Sequence, residues 1–180
     1  ESFSAGTDAL GSSIDPTRSG STFNADGSGY AIVEDASNLN ITTEATWIFR
    51  SNLYGPTPAS NESVLAQWGV NSGDRSFLFV RHSGNAEPNE LRISLSPNGA
   101  LVHRQDFQTI NSNSLWVVRY NGPARLLNVQ RDGQVLFPQE TEGSFPTSLY
   151  SNGTPFMICG NGDVGDVINI SKRSVSGVKV

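Results

Sequence analysis

The sequence has one cysteine, one methionine and two histidines, and no apolar run approaches the length of a membrane-spanning helix. A single thiol excludes an internal disulfide, so packing must hold the fold. Cys159, set in Met157-Ile158-Cys159-Gly160, reads as an inert buried strand thiol with no activating base near it in sequence. A helix crossing a bilayer needs roughly 20 consecutive apolar residues, and the chain offers none. Charge is sparse as well: 16% of the 180 residues are Asp, Glu, Lys or Arg, and the net charge is −5. That balance lacks the concentrated basic surface a phosphate backbone requires, which argues against nucleic acid as a partner. No stretch carries the 3.6-residue period of an amphipathic helix, whereas 18 Gly and 9 Pro punctuate the chain. Many short strands joined by turns are therefore expected, with helix nearly absent.

What is present is alternation. Leu115–Phe137 reads LWVVRYNGPARLLNVQRDGQVLF. Trp116, Val118 and Tyr120 share one face of a strand, and Asn121-Gly122-Pro123 stops it. A second strand starts at Leu126, and Asp132-Gly133 suits a two-residue hairpin turn before Val135 and Phe137 resume the pattern. This meander is too apolar to stand alone and needs a second sheet over it. Upstream, a strand is expected at Tyr30–Val33, Trp47 and Phe49 share a face, and Leu53–Ser60, with Pro56 and Pro58, must be a surface loop. Val64, Ala66 and Trp68 alternate with Leu65 and Gln67, and Val70–Asp74 turns. Phe77–Val80 is apolar on both faces, as a central strand would be. Leu91, Ile93 and Leu95 give the cleanest period of two, and Pro97-Asn98-Gly99 closes a hairpin into a strand at Ala100–His103. Pro138–Thr154 reads as a surface loop, and the last strands are expected at Phe156–Cys159 and Val167–Ile170. Turn signals every 8–12 residues or so indicate an all-β, antiparallel two-sheet sandwich. Residues 1–22, polar and rich in Gly and Ser, read as an N-terminal arm or linker, and 23–180 as the sandwich domain. A start at Glu1 rather than Met suits a processed chain or a fragment.

These segments resemble, in order, the laminin-G-like, concanavalin-A-like jelly-roll family. Phe23–Ile41 resembles its opening stretch, and Val64–Trp68 through Arg75-Ser76-Phe77 is similar to its next strand pair. Leu115–Gly122 and Asn128–Val135 resemble its central hairpin. Gly160-Asn161-Gly162 with Gly165–Ile170 and Arg173 resembles its closing segment. The resemblance spans about residues 23–176 and implies a jelly roll. It does not select an activity, because the fold hosts lectins, glycosidases and scaffolds alike. It also implies a rim calcium as a cofactor, for which Asp163 and Asp166, with Asn161 nearby, are the candidate ligands; turn-favouring Asp and Asn explain the same residues without a metal.

For chemistry, Glu140 and Glu142 are the Glu pair at alternate positions, as a glycosidase would need. They lie beside Pro138 in an expected loop and read as solvated charge. His82 and His103 have neither triad nor metal-ligand spacing, so no enzyme is expected. Sugar binding calls for an aromatic platform and planar polar side chains. Tyr54, Trp68, Arg81, His82 and Asn85 could supply them if the 51–61 and 81–89 loops lie together, whereas Trp47 and Trp116 read as core. The expected function is a non-enzymatic binding or adhesion module, with a glycan or cell-surface polysaccharide as ligand, outside the cell on a bacterial surface or bacteriophage virion. The alternative is a structural virion protein, a capsid decoration or fibre domain, contacting other subunits without a small ligand. A homo-oligomer is compatible with either.

Overall fold

The computed structural model describes residues 4–5, 17–19, 22–24, 30–33, 41–56, 58, 60–82, 90–137, 145–151, 154–163, 166–168 and 174–179. Among them are strands and no helix. In chain order the strands are β1 (Ser4–Ala5), β2 (Thr17–Ser19), β3 (Thr22–Asn24), β4 (Ala31–Val33), β5 (Glu44–Ser51), β6 (Glu62–Trp68), β7 (Arg75–Arg81) and β8 (Glu90–Leu95). They continue with β9 (His103–Gln108), β10 (Ser114–Asn121), β11 (Leu126–Arg131), β12 (Gln134–Phe137), β13 (Phe156–Ile158), β14 (Asn161–Asp163), β15 (Asp166–Ile168) and β16 (Ser174–Lys179). One seven-stranded sheet, A, has the order β1-β4-β13-β6-β7-β8-β9, and a second, B, has the order β12-β11-β10-β5-β16-β3-β2. The pair β14-β15 stands apart. Within residues 1–22, β1 pairs with β4 and β2 with β3.

The meander forms as its sequence requires. Asp132 and Gly133 take φ of 52° and 81°, the two successive positive angles of the tight turn that matches strand twist. Asp132 Oδ1 also accepts from Leu115 N at 2.8 Å, and that bond holds the carboxyl below its ordinary range. Trp116, Val118 and Tyr120 face inward with Trp47 and Phe49 of β5, and meet Phe77 and Phe79 of β7 and Phe156 of β13 from the facing sheet. Trp47 lies 4.9 Å from Phe77 and 5.0 Å from Phe79, and Phe49 stacks on Trp116 at 6.4 Å. Each such ring pair contributes about 0.5–1.5 kcal/mol beyond its area burial. Cys159 is fully buried at the end of β13, and burial pushes its thiol up to about 12.

Three expectations need correction. The strand after Gly99 is His103–Gln108, not Ala100–His103; it is an edge strand whose polar sequence carries one buried apolar side chain, Phe107, and so shows little periodicity. The connection 138–154 is not wholly a surface loop, because Phe145 and Leu149 enter the core. Tyr120 Oη donates to Pro146 O at 2.8 Å, anchoring that segment. The closing segment also holds more strand than expected: β14 and β15 form a hairpin, and β16 fills a central place in sheet B between β5 and β3.

Candidate functional site

Strand alternation gives sheet A a second, outward face. Since Phe77 and Phe79 point into the core, Leu78 and Val80 point away from it, where they cluster with Ala66 and Trp68 and are packed by Val102. Register extends this face across β8 and β9. Leu78 pairs with Ser94 and Ser94 with Arg104; Val80 pairs with Arg92 and Arg92 with Asp106. The result is a cleft of about 330 Å³ with an apolar floor and a basic wall, lined among others by Trp68, Arg75, His82, Arg92 and Arg104.

Strict alternation would turn Arg75 inward, beside Phe77. A bulge prevents this: Gln67 pairs with Phe77 but Trp68 pairs with Arg75, so β7 carries one extra residue, Ser76, at that step. Bulges re-aim side chains in this way, and here the Arg75 guanidinium lies 5.4 Å from the Trp68 ring centroid. Its Nε is buried and has no hydrogen-bond partner among the described residues. The turn before β7 is fixed from three sides. Gly69 N donates to Asp74 O at 2.5 Å, Thr154 Oγ1 donates to the same oxygen at 3.2 Å, and Gly73 N donates to Gly99 O at 2.9 Å.

Charge within the cleft is unevenly spent. Arg92 holds Asp106 through two bonds of 2.7 Å, the bidentate fork that suits guanidinium and carboxylate. That contact keeps the Asp106 carboxyl below its usual range. Arg92 is thus largely neutralised, and Arg75 and Arg104 remain to meet an anion. Burial lowers the His82 imidazole from 6.5, Arg92 and Arg104 add to the effect, and Asp106 opposes it.

Of the residues singled out from the sequence, Trp68 and His82 share this cleft. Tyr54 is 40% exposed but outside its lining. Arg81 turns inward at the end of β7, 1% exposed, donating to Glu62 Oε2 at 3.0 Å, to Gly55 O at 2.7 Å and to Pro56 O. It ties Gly55 and Pro56 to β7 from the core side; residues 83–89 of the expected rim lie outside the described residues. Asn85, Glu140 and Glu142 lie outside the described residues. Asp163 and Asp166 are direct backbone partners across β14–β15. Among the described residues no three His, Cys, Asp or Glu group together. The sequence reading passed over Arg75, Arg92 and Arg104. For Arg92 a signal existed, since it occupies the polar side of the clearest alternating strand.

No protein-family model matches the chain, and no curated protein matches it by sequence. Solved structures do match in fold. The CBM40 of the Ruminococcus gnavus IT-sialidase superposes with a TM-score of 0.60 at 13% identity, covering 86% of each chain. The same module bound to alpha2,3 sialyllactose gives 0.56 at 12% identity, over 79% of this chain and 78% of that one. The receptor-binding domain of botulinum neurotoxin mosaic serotype C/D gives 0.61 at 9% identity, over 98% of this chain and 41% of that one. The chain therefore spans about two fifths of the toxin domain. At such identities the likeness establishes the fold alone, a two-sheet jelly-roll sandwich.

Proposed function

We propose that the protein is a non-enzymatic glycan-binding module whose site is the cleft on the outer face of β6–β9, and that it takes an acidic, sialylated oligosaccharide. The observation that carries this reading is the placement of Arg75 and Arg104 in one cleft with Trp68 on the outward face of sheet A, neither guanidinium paired with a carboxylate among the described residues. A guanidinium with open donors is made to receive a carboxylate side-on. Trp68 and Leu78 are each 8% exposed and Val80 1%, so the apolar floor adds little stacking surface and the guanidinium groups carry recognition. Structures of similar fold, one bound to sialyllactose, support the same reading. Exposure on a bacterial or virion surface, among other subunits there, belongs to this proposal.

Calorimetric titration with 3′-sialyllactose, 6′-sialyllactose and lactose tests it. The sialylated sugars are expected to bind and lactose to bind far more weakly. Arg75→Gln and Arg104→Ala should each cost about tenfold or more in affinity, the worth of one charge-assisted hydrogen bond. Absence of binding to every acidic glycan on an array would refute the proposal.

A further inference from the structure

Sheet B has an outward face too, on the opposite side of the sandwich, and it carries a cleft of about 480 Å³. We infer that this cleft is a second ligand site, and that its ligand is an uncharged polyhydroxyl compound, a neutral oligosaccharide. Trp47, Phe49, Val118, Tyr120, Leu127 and Val129 face the core, so Thr46, Arg119 and Asn128 alternate outward. Register sets them in one row, since Thr46 pairs with Arg119 and Arg119 with Asn128. Glu44, Asn121 and Gln130 flank that row.

The chemistry of this lining differs from that of the basic cleft. It offers one carboxylate, one guanidinium, three primary amides, of which Asn121 already accepts from Ala124 N, and the Thr46 hydroxyl, all on three adjacent strands of a continuous ladder. Arg119 and Glu44 are both exposed and make no ion pair among the described residues. Gln130 Nε2 donates to Asn128 Oδ1 at 3.0 Å, which fixes the planes of both amides. An anion entering the cleft meets Glu44, and a cation meets Arg119. A neutral ligand whose hydroxyls both donate and accept can satisfy both charges and the amides together. Among the described residues no aromatic ring other than Tyr120, itself core-facing and 2% exposed, lines the cleft. Recognition therefore rests on hydrogen bonds to hydroxyl groups and not on stacking.

The test uses the full chain, isotopically labelled for nuclear magnetic resonance, titrated with neutral di- and tetrasaccharides of glucose, galactose and mannose. At least one is expected to shift the side-chain amide signals of Asn128 and Gln130 while leaving the Trp68 indole signal unmoved. Arg119→Ala, at an exposed position, should weaken that binding by about tenfold, and Glu44→Gln should weaken it too. Arg75→Gln should leave it unchanged, and saturating sialyllactose should not displace it. The inference is overturned if no neutral sugar moves the Asn128 and Gln130 signals, or if neutral sugars act only through Trp68. It is equally overturned if Arg119→Ala dissolves a dimer seen by light scattering, because the cleft would then be a self-interface. Each of these results leaves the acidic-glycan site standing or falling on its own titration.

Discussion

Arg75 and Arg81 begin and end the same strand, yet one faces the cleft and the other the core. Arg81 spends its charge on Glu62 and on two loop carbonyls, with side-chain exposures of 1% and 7% for the ion pair. Removing one member of such a pair strands the other in the interior, at a cost of about 3–5 kcal/mol. Arg81→Ala is therefore expected to lower the thermal midpoint by roughly 10 °C, whereas Arg75→Gln leaves it nearly unchanged; equal midpoints would contradict this division. No feature of the sequence separates the two arginines. What separates them is a one-residue bulge at Ser76, which reverses the parity of everything N-terminal to it on β7. His82 lends itself to a different measurement. Its pKa lies below 6.5 in the free protein, so the ring is mostly neutral at pH 7. An anion held by Arg75 and Arg104 stabilises the protonated ring and raises that pKa. The gain in affinity is then complete below the free-protein pKa and lost as pH rises through the bound-state value. The sialic acid carboxylate sits on a ketal carbon and is a stronger acid than an Asp side chain, so it stays ionised above pH 5. Sialyllactose should thus bind more tightly at pH 5 than at pH 8, and His82→Asn should flatten that slope; a slope indifferent to the substitution would refute the role of the ring.

Among elements, the turn at Gly99 constrains the site most. Gly99 has φ of 81°, and a methyl group there would collide with the Gly73 backbone carbonyl. Gly99→Ala combines a left-handed residue with a backbone clash, for a cost of about 1–3 kcal/mol. It should also weaken acidic-glycan binding more than Gly133→Ala, whose added methyl meets open space. Equal effects on binding would show that the 70–74 turn does not set Arg75. The element scale is also where the sequence was most legible. Wherever one face is buried, the apolar period of two survives, and β5, β8, β10 and β11 were readable for that reason; β7 was readable instead as a run apolar on both faces, in keeping with its nearly complete burial. Where a strand lies at an edge, as β9 does, or is three residues of polar and glycine sequence, as β14 is, periodicity does not appear, whereas β15 overlaps the strand expected at Val167–Ile170. Val64 illustrates another limit: it and Leu65 are both fully buried in the main core, because the β6–β7 register shifts between Ser63 and Leu65, a shift invisible to simple alternation.

For the whole molecule, the architecture was legible because alternating strands with nothing else to bury can only form paired layers. The site was not, because its location depends on which outward face gathers unspent charge, and that follows from registers between strands distant in sequence. The two layers leave their outward faces about one sandwich thickness apart, one bearing the basic cleft and the other the mixed-charge cleft. Mouths that open in opposite directions cannot close on the same saccharide unit. Were both proposed sites to bind, a single folded copy would act as a coupler, gripping one polymer chain on each flank and joining unlike coats without first pairing with its own kind.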